Sequence, residues 1–215
     1  MLKIPILILD LDNTIYPVSS IGEELFRPLF EIMEKPEYGL GGETLEEARK
    51  DVQRIPFQKV AGKYKFPEEL TQEALSLLRS LSYENDMSSF ADYHLVKEYP
   101  CTRILVTSGF TKLQQSKITK LGLEPDFEEM FIIDPDLTDK VKKDIFEEII
   151  KKHDLKKDDV IVIGDDPDSE IQAALDLGLH SILLDPNIEF DQNKAEHTVR
   201  SLKEATAIIK QKAQP

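Results

Sequence analysis

The chain has 215 residues, of which 40% are hydrophobic, enough for one good core or for a core with a modest appended domain. Its formal net charge of -14 disfavours nucleic acid and anionic membranes as partners, because most of the protein surface would repel both. The single cysteine, Cys101, excludes an internal disulfide. The apolar N-terminal run is too short to span a membrane and lacks a cleavage site, so we expect a cytoplasmic protein.

The first predicted element is a short buried strand at residues 4–9, and a long helical segment follows it. From residue 17 to residue 100 there is no convincing strand. Helical patterns are found at residues 21–34, 43–53, 67–80 and 88–98, with the glycine-rich break KPEYGLGGET after the first. We therefore predict that residues 17–99 form an all-helical insert in a domain made of residues 1–16 and 100–215.

Strands and helices alternate in the rest of the chain. Runs rich in Ile, Leu and Val predict strands at residues 103–107, 131–133, 160–163 and 180–184. Helical periodicity is found between them, at residues 111–121, 140–153 and 169–177, and again in SLKEATAIIKQ near the C-terminus. This alternation predicts an α/β fold: a Rossmann-like parallel-sheet core with helices on both faces.

Polar residues follow the predicted strands, and parallel sheets of this type bind ligands at the carboxyl ends of their strands. Asp10 and Asp12 come directly after the first strand, and the next strand ends in the sequence TSG, which begins at Thr107. The strand at residues 131–133 is followed by Asp134, and the strand at residues 160–163 is followed by the acidic run GDDPDSE. We expect these groups to meet at one edge of the sheet.

The strand-end acids predict a cation site. Side chains alternate along a strand, so Asp10 and Asp12 are expected to face the same way. These two carboxylates, joined by Asp165 and Asp166 from another strand, would repel one another unless a cation lay among them, and closely spaced oxygen ligands favour Mg²⁺. A lysine from the helix at residues 140–153 would hold an anion beside the acids, and phosphate is the natural candidate.

The sequences DLDNT, LVTSG and IGDDPDSE, with a helix-opening lysine before the last, occur in an order that resembles the haloacid dehalogenase-like hydrolase superfamily. The resemblance extends over residues 4–15 and about 103–184, whereas the helical insert matches only in position and type. It implies a phosphatase in which the insert is a cap over the active site. Such a cap would close to exclude water and reopen to release product.

The resemblance also implies roles for individual residues. Asp10 is expected to be the nucleophile that forms an aspartyl-phosphate, and Asp12 the general acid and base. Asp10, the backbone carbonyl of Asp12, and Asp165 are expected to bind Mg²⁺. Thr107 is expected to bind the phosphoryl oxygens through its hydroxyl, and Ser108 through its backbone N–H.

Three lysines crowd the start of the helix that contains Phe146. In the superfamily the phosphate-binding lysine lies six residues before an aromatic of this helix, and counting back from Phe146 reaches Lys140. We therefore expect Lys140 to neutralise the phosphoryl oxygens. Because Val141 replaces the proline that often follows this lysine, Lys142 and Lys143 remain alternatives.

The acidic loop also departs from the usual pattern of the superfamily. Asp166 stands where a small polar residue is more usual, and Glu170 stands where an aspartate often occurs. Either side chain could hold a metal-bound water, but the spacing favours Asp165 as the direct ligand.

We predict an Mg²⁺-dependent phosphohydrolase that acts on a small phosphorylated metabolite, without nucleic acid or membrane, as a monomer or homodimer. The opening DLDNTIYP favours a nucleoside monophosphate or a sugar phosphate. The alternatives are a phosphosugar mutase of the same superfamily and a noncatalytic phosphate-sensing or partner-binding module. Dehalogenation does not need an acid at the position of Asp12, so this residue argues against it.

Overall fold

The computed structural model describes residues 5–213, and within them the chain forms one parallel sheet of six strands. The strands are β1 (Ile6–Leu9), β2 (Thr102–Ser108), β3 (Glu129–Ile133), β4 (Val160–Gly164), β5 (His180–Leu184) and β6 (His197–Val199). Their spatial order is β3-β2-β1-β4-β5-β6, so β1 lies between β2 and β4. The predicted strands are confirmed and β6 is an addition. Residue 4 of the first predicted strand lies outside the described residues.

Nine α-helices accompany this sheet in the described part of the chain. They are α1 (Gly22–Met33), α2 (Gly42–Asp51), α3 (Phe57–Tyr64), α4 (Glu68–Ser80), α5 (Tyr93–Lys97), α6 (Thr111–Leu121), α7 (Lys142–Lys152), α8 (Glu170–Leu177) and α9 (Leu202–Lys212). Helix α3 was not predicted, and α5 is shorter than the helix predicted at residues 88–98. None of the helices in residues 5–213 is both long and apolar enough to cross a membrane.

The sheet is buried on both faces because alternate residues of its strands enter two separate hydrophobic clusters. In β1, Leu7 and Leu9 belong to one cluster and Ile8 to the other. The cluster of Ile8 contains Phe146 of α7 and Ala174 of α8, whereas α6, α9 and the helices from α1 to α5 contribute to the cluster of Leu7. Helices therefore cover both faces, as predicted.

Helices α1 to α5 lie between β1 and β2, where the insert was predicted. Helix α1 packs against α4, and α4 packs against α6. The end of the segment is attached to the sheet domain: Phe90 N donates to the Ile15 carbonyl at 2.8 Å, Lys203 N donates to the Asp92 carboxylate at 2.9 Å, and α5 packs on α9. The boundaries of the insert at residues 17 and 99 stay a prediction.

The carboxyl ends of the strands meet at one edge of the sheet, as their parallel pairing requires. Leu9 of β1 is in register with Leu105 of β2 and with Ile163 of β4. The next backbone N–H, that of Asp10, donates to the Ile163 carbonyl at 3.1 Å. The polar residues that follow β1, β2 and β4 therefore lie side by side.

The packing of α7 on the sheet can be tested at Phe146, whose side chain is 1% exposed. We expect Phe146→Ala to lower the free energy of unfolding by about 3–5 kcal/mol, because it leaves a cavity between α7 and the strands. Urea denaturation measures this loss. Val141→Ala is the matched control: it precedes α7 and is 59% exposed, so its effect should be within about 0.5 kcal/mol. Equal losses in the two variants would contradict this account of the packing.

Candidate active site

Three carboxylates meet where β1 and β4 end. One oxygen each from Asp10, Asp165 and Glu170 lies within 4.8 Å of the others. Asp10 follows β1, Asp165 follows β4, and Glu170 begins α8, so three separate elements form this group, which we call the carboxylate cluster. Asp10 and Glu170 are buried. The structure thus brings together Asp10 and Asp165, as predicted, and adds Glu170.

Lys142, the first residue of α7, lies between two of these acids. Its Nζ is 2.6 Å from Asp10 Oδ1 and 2.7 Å from Glu170 Oε2, and the residue is only 7% exposed. Burial lowers the pKa of Lys142, but the negative charges of Asp10 and Glu170 outweigh burial and raise it above the ordinary value. Lys142 therefore holds a fixed positive charge at the carboxylate cluster.

The prediction that Lys140 occupies this place is wrong. Lys140 is exposed, and its Nζ lies 2.6 Å from Glu148 Oε1. The cause is the start of the helix: Val141, the N-cap, has an extended backbone, so Lys140 lies outside the helical register that was counted back from Phe146. Lys142 and Phe146 are four residues apart, and both lie on the buried face of α7. Lys143, the other alternative, pairs with Asp176 at 3.3 Å.

The pKa of Asp10 is raised from 3.8 to about 7. Burial is the largest cause; Lys142 opposes it, and the neighbouring charges of Glu170 and Asp12 add to it. The pKa of Asp165 is also raised, well above its ordinary value, by burial and then by the charges of Glu170 and Asp10. Full ionisation of the cluster would therefore place more negative charge there than Lys142 alone can balance.

This donor set fits a hard divalent cation. The cluster offers carboxylate oxygens from Asp10, Asp165 and Glu170, which are the ligand type that Mg²⁺ prefers, and their mutual repulsion would be relieved by a positive ion. The prediction named Asp10, Asp165 and the backbone carbonyl of Asp12 as ligands. The Asp12 side chain does not belong to the cluster found in the described residues, and the role of its carbonyl stays a prediction.

The loop after β4 determines which acid enters the cluster. Glu170 Oε1 accepts a hydrogen bond from the backbone N–H of Asp166 at 2.8 Å, while the Asp166 carboxylate accepts one from the N–H of Asp168 at 2.9 Å. Asp166 thus stabilises its own loop and Glu170 reaches the cluster. Gly164 makes room for this: a Cβ there would lie 2.1 Å from Glu170 Oε1.

Asp12 lies in a different environment from Asp10, although only Leu11 lies between them in the chain. Its Oδ1 accepts hydrogen bonds from Lys117 Nζ at 2.7 Å and from the Tyr16 hydroxyl, and its Oδ2 accepts one from Gln114 Nε2 at 2.8 Å. Burial raises the pKa of Asp12, but the charge of Lys117 and these three hydrogen bonds outweigh burial and lower it.

The phosphate-binding candidates follow at the end of β2. Thr107 is buried, and its Oγ1 accepts a hydrogen bond from Gln114 Nε2 at 2.6 Å, whereas Ser108 is exposed.

Sequence reasoning missed Gln114 and Lys117. A usable signal was present, because these polar residues lie three apart in α6 on its buried side, where apolar residues are expected.

A cavity of about 440 Å³ opens beside Asp165, between the insert and the sheet domain. Residues of both parts line it: Asn13, Lys50, Gln53, Arg54, Phe90, Asp165, Glu189 and Phe190 are among them. Arg54 of the insert contacts the sheet domain within this lining, with Nη1 at 2.8 Å from Glu189 Oε2. The cavity thus connects the carboxylate cluster to a polar lining supplied partly by the insert.

A strand-end aspartate, a buried lysine and a carboxylate cluster thus lie together at one edge of a parallel sheet that helices cover on both faces. The family model of the haloacid dehalogenase-like hydrolases matches residues 4–178, and the chain belongs to this family.

Individual relatives are more distant. The glyceraldehyde 3-phosphate phosphatase of Methanocaldococcus jannaschii is 26% identical over 110 residues, which is 49% of this chain and 48% of that protein. The alignment with this curated relative therefore spans about half of its length.

Two solved structures share the fold. A protein of Bacillus subtilis, YfnB, described as a HAD-hydrolase bound to magnesium, superposes with a TM-score of 0.69 at 18% identity, over 96% of this chain and 99% of that one. A haloacid dehalogenase-like family hydrolase of Streptococcus pneumoniae does so with a TM-score of 0.71 at 15% identity, over 97% and 99%.

The raised pKa of Asp10 predicts a pH dependence of stability in the presence of a chelator. Folded Asp10 keeps its proton up to about pH 7, whereas the unfolded chain releases it near 3.8, so the folded state binds more protons in this window. The free energy of unfolding should therefore fall as the pH rises from about 4 to 7. Relative to Asp10→Asn, we expect a fall of at least about 1 kcal/mol by urea denaturation at each pH. A difference between the two proteins that is constant across this window would contradict the assignment.

The two lysines at the start of α7 should differ in their contribution to stability. With chelator at pH 7, Lys142→Met should lower the free energy of unfolding by about 3–5 kcal/mol, because it leaves Asp10 and Glu170 buried without their cation. Lys140→Met, the matched control, should change it by less than about 1 kcal/mol, because the Lys140–Glu148 pair is exposed. Urea denaturation measures both losses. A larger loss in Lys140→Met than in Lys142→Met would restore Lys140 as the lysine beside Asp10.

Proposed function

We propose that this protein is a phosphatase that cleaves a small phosphomonoester through an aspartyl-phosphate on Asp10. The observation that carries this proposal is the contact of Lys142 with Asp10 in the carboxylate cluster. A phosphate dianion approaches an anionic nucleophile only where positive charge compensates both. Lys142 supplies part of this charge beside Asp10, and the cluster is suited to hold a cation that supplies the rest.

The proposed reaction has two steps. An oxygen of Asp10 attacks phosphorus, the bond from phosphorus to the leaving oxygen breaks, and Asp12 gives that oxygen its proton. Water then attacks the phosphorus of the aspartyl-phosphate while Asp12 takes a proton from it, which releases phosphate and restores Asp10. The ionised form of Asp12, which its three donors favour, is the form needed as the base in the second step.

Asp12 must carry a proton in the first step, and its lowered pKa works against this. The acid role therefore requires that Asp12 take up a proton when the phosphate ester is bound. The negative charge of the ester, placed beside Asp12, shifts the equilibrium in this direction.

Other residues of the chain hold the phosphoryl group. We propose that Thr107 and the backbone N–H of Ser108 bind its oxygens and that Lys142 takes the role predicted for Lys140. Asp10, Asp165 and Glu170 would hold Mg²⁺, with the Asp12 carbonyl as the further predicted ligand. When bound, the ion neutralises charge on the phosphoryl oxygens and on the carboxylates.

The substrate is proposed to be a small phosphorylated metabolite, in the class of sugar phosphates or nucleoside monophosphates. The curated relative is named for a three-carbon phosphate, and a cavity of about 440 Å³ holds a leaving group of modest size. Asn13, Gln53 and Arg54 offer it hydrogen bonds. A cytoplasmic location and a monomeric or homodimeric state stay predictions.

The insert is proposed to act as a cap. Ion pairs are among the contacts that join it to the sheet domain, and two of them, Arg54–Glu189 and Arg79–Asp136, involve partly exposed side chains. Pairs of this type contribute little to stability and separate at low cost, which suits an element that opens and closes.

Phosphate release from a panel of sugar phosphates, nucleoside monophosphates and an aryl phosphate tests this function, with Mg²⁺ or EDTA. We expect release by the wild type with Mg²⁺, loss with EDTA, and a loss of at least about 10³-fold in Asp10→Asn, which removes the nucleophile. Asp139→Asn, an exposed acid before α7, is the control and should behave as the wild type.

Full activity of Asp10→Asn would contradict the assignment of Asp10 as the nucleophile. An isomerised phosphosugar without free phosphate would indicate a mutase. A folded wild type that releases nothing and changes no substrate would favour the noncatalytic alternative.

A further inference from the structure

Lys117 is a buried lysine that the proposed reaction does not use. It lies in the second turn of α6 and is only 4% exposed. Its Nζ lies 2.7 Å from Asp12 Oδ1 and 5.8 Å from the centre of the Tyr16 ring. A buried ammonium is costly unless it is paired, and the ion pair that compensates Lys117 is the one with Asp12.

The Asp12 carboxylate is held at both oxygens. Lys117 and the Tyr16 hydroxyl bind Oδ1, and Gln114 Nε2 binds Oδ2 at 2.8 Å. A rotation of the carboxylate would break at least one of these hydrogen bonds. Donors on both oxygens therefore select one orientation of the group.

Gln114 also connects Asp12 to the proposed phosphate site. Its Nε2 donates to Thr107 Oγ1 at 2.6 Å as well as to Asp12 Oδ2, which uses both N–H groups of the amide. The position of the Asp12 carboxylate is thus coupled to the hydroxyl of Thr107. Gln114 and Lys117 are three residues apart and lie on one face of α6, so a single helix face carries both donors to Asp12.

Helix α6 is itself anchored at its start. The backbone N–H and the hydroxyl of Thr111 both donate to Asp134 Oδ2 at 2.7 Å, and Asp134 follows β3. Gly122 ends the helix in the left-handed conformation. The donors that hold Asp12 are therefore carried by an element fixed to the sheet at its N-terminus, which is the support that a precisely oriented group requires.

We propose that Lys117 is a positioning residue for Asp12 and that, with Gln114 and Tyr16, it fixes the orientation in which Asp12 exchanges protons with the substrate and with water. This inference rests on the proposed function, in which Asp12 is the acid and base. Lys117 acts through Asp12 and not on the phosphoryl group. The competing explanation is that Lys117 only balances a charge in the core.

A double-mutant cycle distinguishes the two explanations. Phosphate release is measured for wild type, Lys117→Met, Asp12→Asn and the double variant, on the best substrate of the panel with Mg²⁺. Asp12→Asn should lower kcat by about 10²- to 10⁴-fold. Lys117→Met should lower kcat by at least about tenfold with KM little changed, but by less than about twofold once Asp12 is Asn, because the residue it orients is gone.

Two further variants support the cycle. Lys120→Met changes an exposed lysine of the same helix and should leave kcat unchanged. Tyr16→Phe removes one donor to Asp12 at nearly constant volume, so it keeps the test available if Lys117→Met does not fold. It should also lower kcat when Asp12 is present. When Asp12 is already Asn, it should change kcat by less than about twofold, as expected for Lys117→Met.

A loss from Lys117→Met that persists in full beside Asp12→Asn would overturn the positioning role while leaving the proposed function intact. Wild-type activity in Asp12→Asn would overturn both. A crystal structure of Lys117→Met, or of Tyr16→Phe, gives a readout that does not depend on turnover. The Asp12 carboxylate is expected to leave its single orientation, and an unmoved carboxylate in both variants would contradict the inference.

Discussion

The contact of Lys142 with Asp10 and Glu170 is the constraint on which the rest of the site depends. A chain with a net charge of -14 gathers three carboxylates at one edge of its sheet, and each must lose most of its water there. One buried lysine, 2.6 Å from Asp10, makes this arrangement possible. The contact requires that β1 and β4 be neighbours, that α7 begin at Lys142, and that Gly164 leave space for Glu170.

Asp10 and Asp12 belong to two separate networks of charged and polar side chains. Asp10 faces Lys142 and the carboxylate cluster, and its pKa is raised; Asp12 faces Lys117, Tyr16 and Gln114, and its pKa is lowered. Carboxyl groups whose environments move their pKa values apart are suited to different chemical roles. The chain achieves this with residues two apart by turning one side chain towards α7 and the other towards α6.

The fold tolerates extensive change in sequence. The fold alone does not determine the chemistry of the site. The two solved hydrolases share this architecture at 15–18% identity, which indicates that hydrophobic pattern and volume, more than particular side chains, maintain the sheet and its helices. Chemistry on such a fold is therefore argued from the particular polar groups at the strand ends. In this protein those groups comprise the carboxylate cluster, Lys142, and the donors of α6 that hold Asp12.

The sequence by itself determined the α/β alternation and the edge at which Asp10, Thr107 and Asp165 meet, because strand and helix periods are local and parallel strands end on the same side. Only the tertiary structure decided which lysine reaches Asp10, since 132 residues separate Lys142 from it and the choice depends on where α7 begins. The same holds for Lys117, which lies 105 residues from Asp12. Pairing between residues so distant in the chain follows from helix position on the sheet, and local sequence does not encode that position.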